Sequence, residues 1–244
     1  MNVFEAVADY YDRYRKPRPS IISHIVNTIK RNSLESGNIL DLGCGTGGYA
    51  TEIGRVFDKI IYGVDSSDAM VLYANKKGNV QTSKCDCNEF ANLPNTFFTF
   101  AYCVNFLHYI NNLDHFFSSV YKTLDNHGVI YVATHTEEDI LRQTLGYYFP
   151  SSINVELSMI HPVEAIIRNL SKNGFSDIEV EKISRKIPLG TEDFLAYKFK
   201  TYNCLHSIDE KSFDRGLVHM ESDIKKGTGM GLMSYTVVKG GKHD

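Results

Sequence analysis

The sequence predicts an α/β fold with a parallel sheet and helices on both of its faces. Short strand-like runs at 38–42, 60–64, 80–85, 98–104 and 128–134 alternate with segments of helix length. This order is typical of βαβ units, whose right-handed crossovers place helices on both faces of the sheet. Ligands of such sheets bind beyond the carboxyl ends of the strands, so the residues that follow each strand are the first candidates for a site.

Two helices are predicted before the first strand. Residues 2–16 read as a helix that Pro17 and Pro19 bring to an end, because proline rings disfavour helix around them. Ser20 is then the expected N-cap of a second helix that reaches about residue 32, with apolar residues at helical spacing.

The chain beyond residue 135 is predicted to be mostly helical. Helical pieces at about 137–150 and 191–227 flank a strand at 177–187, and a strand-like run at 233–238 closes the pattern. We expect the helical pieces to form a lid over the sheet. The chain is therefore expected to be one domain, divided into N-terminal helices or lid (1–32), a cofactor-binding core (38–135), a substrate lid with the remaining core (136–230) and a final strand (231–240).

Composition limits the classes of function. With 244 residues, 43% of them hydrophobic and 23% charged, the chain has an ordinary globular composition, without an apolar run long enough for a membrane span. A net charge of -3 argues against broad electrostatic capture of nucleic acid. The N-terminal segment is acidic where a secretory signal is basic and apolar, and the five cysteines lack CxxC spacing. We expect a cytoplasmic protein that binds no nucleic acid, membrane or metal.

The glycine-rich segment after the first strand is the best candidate for a cofactor loop. Residues 39–48 read ILDLGCGTGG, a buried strand that runs into a turn and then into a helix. Glycines permit positive φ angles there and let the backbone approach a ligand closely. Gly43, Gly45 and Gly48 also match the GxGxxG spacing of dinucleotide sites, and Asp65 lies about 20 residues further on, as in that fingerprint.

The charge of the residue before this loop separates the two possible cofactors. Asp41 would repel the pyrophosphate of a dinucleotide. A cofactor with a sulfonium and an ammonium group is instead attracted by a carboxylate nearby. The sequence therefore favours S-adenosylmethionine over NAD.

Acidic residues also follow the second and third strands. The two carboxylate oxygens of Asp65 can accept both hydrogens of a ribose diol, and Ser66 stands beside it. Asp86 can accept a hydrogen of the adenine amino group, with the Cys87 backbone as a second contact; its alternative role is that of a helix N-cap. Met70 either covers an adenine face or packs in the core.

The motifs LDLGCGTG, GVDSS, KCDC and FLHY, in this order, resemble those of the class I S-adenosylmethionine-dependent methyltransferases over about residues 1–135. The resemblance implies a Rossmann-like sheet of seven mostly parallel strands, with helices on both faces. The last strand would be antiparallel and inserted beside its predecessor, a position that residues 233–238 fit.

The same resemblance implies positions around the cofactor. Gly43, Gly45 and Gly47 would line the methionine part, Asp65 the ribose and Asp86 the adenine, while Asn105 would form the loop beneath the methyl donor. The YYD motif at 10–12, with Arg15 and Arg18, resembles the start of the small-molecule branch of the family, where such residues help to close over the cofactor. Tyr11 and Arg18 are accordingly predicted cofactor contacts.

His108, which follows the fourth strand, is the predicted general base. Methyl transfer mainly requires alignment and exclusion of water, and a base is needed only where the acceptor loses a proton. The ordinary pKa range of histidine suits that task, although a histidine at a helix start can equally serve packing. Aromatic and histidine side chains near the ligand edge or in the lid are the predicted substrate pocket, together with His108: Tyr14, Tyr109, His135, Tyr147, Phe149 and His161.

We therefore expect transfer of a methyl group from S-adenosylmethionine to an O, N or C atom of a small molecule. The run Asn-Phe-Leu-His lacks the (N/D)PPY pattern of enzymes that methylate amino groups of nucleic-acid bases. The alternatives are an NAD-dependent oxidoreductase and a non-catalytic scaffold that binds S-adenosylmethionine.

Overall fold

The computed structural model describes residues 3–88 and 96–243, which contain a seven-stranded sheet. Its strands follow one another in space in the order β3-β2-β1-β4-β5-β7-β6. The first five run parallel, and β7 is antiparallel to both of its neighbours, β5 and β6. The strands are β1 (Ile39–Leu42), β2 (Ile61–Asp65), β3 (Val80–Lys84), β4 (Phe98–Val104), β5 (Leu124–Thr134), β6 (Phe175–Pro188) and β7 (Met230–Lys242).

This topology confirms the predicted sheet. The last strand in sequence is inserted between β5 and β6, as the resemblance implied. Both β6 and β7 are longer than predicted, because they pair with each other from Phe175 and Lys242 to Pro188 and Met230. The end of the β6–β7 pair at Pro188 and Met230 lies next to the lid, where Leu189 is buried.

Eleven helices accompany the sheet in the part of the chain that the structure describes. They are α1 (Val3–Tyr14), α2 (Pro19–Arg31), α3 (Gly48–Phe57), α4 (Asp68–Asn75), α5 (Leu113–Thr123), α6 (Glu137–Arg142), α7 (Thr144–Tyr148), α8 (Ile153–Met159), α9 (Val163–Lys172), α10 (Thr191–Lys198) and α11 (Glu210–Lys225). None of them, within that part, is long and apolar enough to cross a membrane.

Two apolar clusters hold helices against opposite faces of the sheet. One joins Ile21, Ile25 and Ile29 of α2 to the sheet together with α3. The other joins Phe116 and Phe117 of α5 to the sheet together with α9. Burial of these apolar side chains is the main force that holds the layers together, at about 25 cal/mol per Å² of surface removed from water.

The lid has an apolar cluster of its own. Phe149 is 1% exposed and stacks on Tyr197 and Phe213, with ring centroids 5.5 and 5.7 Å apart. Gly216 of α11 lies against the same ring, where a Cβ atom would come within 2.5 Å of it. The lid segments α7, α10 and α11 are thus packed on one another around Phe149.

Several predicted helix boundaries are wrong. The second helix begins at Pro19 rather than after Ser20, since a proline fits the first helical position, where its missing N–H is not needed. The Ser20 hydroxyl instead donates to the Met233 sulfur at 3.4 Å. The helix predicted at 191–227 is two helices, separated by a 3-10 turn at Asn203–Ser207. The piece at 137–150 is also divided, because Gln143 has an extended backbone.

Candidate active site

A cavity of about 380 Å³ lies at the carboxyl edge of the sheet, beneath the lid. It is centred on β1 and β4, where the strand order reverses, the usual ligand position in open α/β sheets. Thirteen of the predicted site residues line it. They are Tyr11, Arg18, Gly43, Gly45, Asp65, Ser66, Met70, Asp86, Cys87, Asn105, His108, Tyr109 and His135.

The glycine loop needs its glycines for two different reasons. Gly43 and Gly45 have φ angles of 71° and 53°, a region that other residues rarely adopt. A Cβ atom on Gly43 would lie 2.0 Å from the Phe106 ring, whereas one on Gly45 would meet only Tyr11, at 3.7 Å. Gly47 precedes α3, and a Cβ atom on it would lie 3.1 Å from Ala74; it is not among the residues that line the cavity, so its contact with the cofactor stays a prediction.

Asp65 is held in place by the backbone on both sides. One carboxylate oxygen accepts from the Gly45 N–H at 2.9 Å, and the other accepts from the Ser67 N–H at 2.9 Å. Ser67 in turn caps α4 by accepting from the Met70 N–H at 3.2 Å. A carboxylate oxygen has more than one acceptor direction, so these bonds orient Asp65 and leave it able to accept from a ligand.

Asp41 lies beneath the loop rather than in the main cavity. It lines a second, smaller cavity of about 50 Å³. Burial raises the pKa of Asp41 to about 7, the nearby negative charge of Asp65 acts in the same direction, and the hydrogen bond that Tyr102 donates at 2.8 Å opposes the rise. A cationic ligand above the loop would favour the charged form of this carboxyl group.

Asp86 forms a local turn at the end of β3. Its carboxylate accepts from the Asn88 backbone N–H at 2.8 Å, and both residues line the cavity. The helix that Asp86 was alternatively predicted to cap would run into 89–95, outside the described residues. Met70 is 2% exposed and lines the cavity while it packs against the core, so both of its predicted roles fit its position.

Asn105 lines the cavity and has an unused acceptor. Its backbone has a φ angle of 53°, and its amide nitrogen donates to the Tyr235 hydroxyl at 2.7 Å. The amide oxygen is buried without a hydrogen-bond partner. A buried polar atom without a partner costs free energy, so this oxygen fits a donor group on a ligand.

Two arginines in the segment that joins α1 to α2 line the cavity. The Arg15 guanidinium lies 3.9 Å above the centre of the Tyr202 ring. Arg18 lies 3.8 Å from a carboxylate oxygen of Asp193 in α10. Lys77, two residues beyond the end of α4, fastens α1 to the glycine loop, since its amino group donates to Asp12 of α1 and to the Thr46 carbonyl oxygen at 2.6 Å each.

Two histidines at the ends of β4 and β5 also line the cavity. Burial lowers the pKa of His108 to about 4, and the neighbouring histidines His135 and His161 add to the shift. Burial likewise lowers the pKa of His135 to about 4. Its Nδ1 atom lies 2.9 Å from the Ser234 carbonyl oxygen. Both rings are therefore neutral at pH 7.

Four residues predicted for the substrate pocket lie away from the cavity wall. Tyr14 stacks on Phe199, with centroids 5.3 Å apart, and Phe149 is enclosed in the lid core. Tyr147 is 62% exposed. The Nε2 atom of His161 lies 2.9 Å from the Ile110 carbonyl oxygen. Each prediction placed the residue on the right segment, but α1 and the lid turn these side chains toward packing contacts or solvent.

A family model described as a methyltransferase domain matches residues 11–180. The chain belongs to this family. The match covers β1–β5 and the glycine loop, so it confirms the resemblance to class I S-adenosylmethionine-dependent methyltransferases.

Curated relatives match part of this chain. The malonyl-[acyl-carrier protein] O-methyltransferase of Bacillus cereus is 26% identical over 140 residues, 55% of this chain and 52% of the relative. The enzyme of the same name from Legionella pneumophila is 36% identical over 75 residues, 30% of this chain and 26% of the relative. The chain thus spans about half the length of the first of these relatives and less of the second.

Solved structures share the fold of this chain. A putative methyltransferase from an antibiotic biosynthesis pathway of Anabaena variabilis has a TM-score of 0.72 at 19% identity, over 93% of this chain and 99% of that one. Phosphoethanolamine N-methyltransferase 2 of Haemonchus contortus, in complex with S-adenosyl-L-methionine, has a TM-score of 0.62 at 21% identity, over 98% of this chain and 57% of that one.

The cavity fits groups that S-adenosylmethionine carries. The unpartnered Asn105 oxygen suits an ammonium group, and Arg15 and Arg18 suit a carboxylate. Asp65 and Asp86 offer acceptors for a ribose diol and an adenine amino group. The described residues therefore have suitable chemistry for the ammonium, carboxylate, ribose diol and adenine amino groups of the cofactor.

Sequence reasoning missed the residues that the lid contributes to this cavity. Arg15, named with Arg18 in the YD..R segment, lines the cavity as well. The lid residues lie far apart in the chain and meet only through folding, so no local spacing marks them. Among them are Gln143, Thr144, Glu156, Met159, Asp193, Tyr197, Tyr202 and Asn203, and Tyr235 of β7 was missed for the same reason.

Proposed function

We propose that this chain transfers a methyl group from S-adenosylmethionine to an O, N or C atom of a small molecule. The observation that carries the proposal is a single cavity that joins the predicted cofactor residues at the sheet edge to a wall built by the lid. The family membership supports the reaction class. The lid encloses the site, which suits a small acceptor better than a polymer.

The cofactor would occupy the sheet side of the cavity. We assign Asp65 and Ser66 to the ribose and Asp86, Cys87 and Met70 to the adenine. The methionine part would lie against Gly43, Gly45 and Asn105, above Asp41. Tyr11 of α1 would cover it, together with Arg15 and Arg18 from the segment between α1 and α2. These assignments rest on position in the cavity and on the chemistry of each side chain.

The lid side would align the acceptor and exclude water. When bound, the cofactor supplies an electrophilic methyl group on its sulfonium. The chain contributes alignment and desolvation, which are the main requirements of a displacement at an activated carbon. Leu145, Met159 and Ile160 give this side an apolar lining, and Tyr109 and His135 give it polar edges.

His108 is proposed to contact the acceptor. It lines the cavity at the end of β4, where the predicted base should stand. Its pKa of about 4 makes the ring a weak base at pH 7, because burial disfavours the imidazolium. A hydrogen bond from or to the neutral ring therefore fits His108 better than removal of a proton.

We also propose that the protein works in the cytoplasm, as one domain with a lid. All five cysteines are free and buried, which suits a reducing compartment. Cys85 and Cys87 stay reduced although their side chains share a hydrogen bond.

The proposed function is tested by the cofactor and then by turnover. We expect S-adenosylhomocysteine to raise the melting temperature clearly more than NAD does. A larger shift with NAD would instead support an oxidoreductase. Formation of S-adenosylhomocysteine from S-adenosylmethionine, in the presence of an acceptor library and followed by mass spectrometry, would show catalysis. Binding without turnover of any acceptor would support a scaffold.

A further inference from the structure

Glu156 of α8 lines the cavity without an evident structural role. Its Oε2 atom is buried and has no hydrogen-bond partner. Among the described residues, the other buried side-chain atoms without a partner are the Asn105 amide oxygen and the Ser152 hydroxyl. Glu156 is thus the one member of that set that can carry a charge.

The residues around Glu156 do not compensate the charge of its carboxylate. Arg15 attracts the carboxylate, yet no salt bridge within 4.0 Å joins the two in the described structure, and the guanidinium instead lies over Tyr202. Met159, one turn further along α8, and Cys204, from the 3-10 turn, are its weakly polar neighbours in the cavity. Glu156 is half-buried and its buried Oε2 atom lacks a partner, which costs free energy, so folding alone does not explain it.

We propose that Glu156 accepts the proton that the acceptor loses during methyl transfer. The acceptor is accordingly a molecule whose nucleophilic atom bears an O–H or N–H bond. This inference rests on the proposed function and names the substrate class of the same cavity. A carboxylate acceptor would have no proton to give and would be repelled by Glu156.

The proton transfer balances with the methyl transfer. The acceptor's O or N atom forms a bond to the methyl carbon as the bond between that carbon and the sulfonium sulfur breaks. The electron pair of the O–H or N–H bond stays on the acceptor atom, and its proton goes to the Glu156 carboxylate. Glu156 returns the proton to water when the product leaves.

The basicity of Glu156 fits this role better than that of the histidines. Burial raises the pKa of Glu156 to about 7, and Arg15 opposes the rise. A general base is most effective when its pKa lies near the working pH. His108 and His135, with pKa values of about 4, bind a proton far more weakly.

The other groups that face α8 do not change this conclusion. Cys204 stays a neutral thiol, since burial raises its pKa to about 12. From α6, the Asp139 carboxylate is occupied by the Ser234 and Thr236 hydroxyl groups, the first at 2.5 Å and the second at 2.9 Å. Arg15 is therefore the charged group that acts on Glu156, and its effect is to favour the carboxylate.

The first test needs no acceptor. Glutamate side chains labelled with ¹³C are titrated by NMR in the wild type and in Glu156→Gln, and the missing resonance assigns Glu156. Glu164→Gln, at an exposed position of α9, is the matched control for assignment and folding. We expect Glu156 to titrate near pH 7. Titration near pH 4.5 would overturn the proposal.

The second test uses turnover of an acceptor library divided by nucleophile into phenols and alcohols, amines, and carboxylic acids. We expect methylation within the first two groups, with an acidic limb near pH 7 in kcat/KM. Glu156→Gln should lower kcat by about 10² to 10⁴-fold and abolish that limb, with unchanged affinity for S-adenosylhomocysteine. His108→Gln should keep the limb.

The outcomes separate this inference from the proposed function. If the wild type does not bind S-adenosylhomocysteine, the proposed function itself is wrong. Normal turnover by Glu156→Gln, or methylation of carboxylic acids alone, would overturn only the role of Glu156. If no library member is methylated, the NMR titration decides the role of Glu156.

Discussion

The two sides of the cavity are built in different ways. The sheet side takes its residues from consecutive positions at strand ends, where the backbone holds them, as Gly45 and Ser67 hold Asp65. The lid side takes its residues from helices that are far apart in sequence and meet around Phe149. The sheet side is therefore specified by local motifs, and the lid side by long-range packing.

Two buried carboxyl groups show what this difference means for function. Burial raises the pKa of both Asp41 and Glu156 to about 7. Asp41, beneath the loop, has a partner in Tyr102, whereas the buried Oε2 atom of Glu156 has none in the described structure. The sheet side thus leaves the neutral Asn105 oxygen for the cofactor, whereas the lid side leaves a titratable carboxyl group for a variable acceptor.

The largest expected effect comes from a substitution in the apolar core of the lid. Phe149→Ala should lower the free energy of unfolding by about 3 to 5 kcal/mol, because a fully buried ring leaves a cavity among Tyr197 and Phe213. Denaturant unfolding measures the loss. Tyr147→Ala, at the exposed neighbouring position, should change stability by less than about 0.5 kcal/mol. Equal losses in the two variants would contradict the placement of Phe149 in the lid core.

A second test uses the stability of the lid side as a function of pH. The folded pKa of Glu156, about 7, exceeds its ordinary value, so the folded state binds more protons between those two values. Stability from this group is therefore complete below about pH 4.5 and is lost as pH rises through 7. Glu156→Gln should be more stable than the wild type by about 2 to 3 kcal/mol at pH 8 and similar to it at pH 4.

The comparison variant for this pH test is Asp41→Asn. It removes the other carboxyl group with a pKa of about 7 and should also stabilise the protein above pH 7, provided that the Tyr102 hydroxyl finds a partner in the amide. S-adenosylhomocysteine carries an ammonium group. Its binding should therefore reduce the stability difference between Asp41→Asn and the wild type more than the difference between Glu156→Gln and the wild type. If the ligand reduced both stability differences equally, the proposed distinction between a cofactor side with Asp41 and an acceptor side with Glu156 would be wrong.

A third test breaks the sheet side. Asp65→Ala should weaken S-adenosylhomocysteine binding by about 1.5 to 3 kcal/mol in calorimetry, because the charge-assisted contact to the ribose is lost. Asp65→Asn keeps the size of the side chain and one acceptor oxygen, and should lose less. Unchanged affinity in Asp65→Ala would remove the proposed ribose contact.

The sequence predicted the sheet side far better than the lid side. Strand runs, the glycine loop and Asp65 are consecutive or regularly spaced, so the order of β1–β5 and thirteen lining residues followed from pattern and resemblance. Glu156 and Tyr202 lie on segments whose spacing indicates only helix. Their place in the cavity depends on how α8 and the 3-10 turn pack, which a local pattern does not contain.

The smallest expected effect concerns the link between the two sides. Lys77 joins Asp12 of α1 to the Thr46 carbonyl oxygen of the glycine loop, and the ion pair is partly exposed, so its loss should cost less than about 1 kcal/mol of stability. Lys77→Met should nevertheless raise the dissociation rate of S-adenosylhomocysteine a few-fold, because α1 then covers the cofactor less firmly. Stopped-flow competition measures the rate. The control is Lys76→Met, because the Lys76 amino group lies over the ring of Tyr73 in α4, 4.3 Å from its centre. Equal rates in both variants would show that α1 closes over the cavity without the help of the loop.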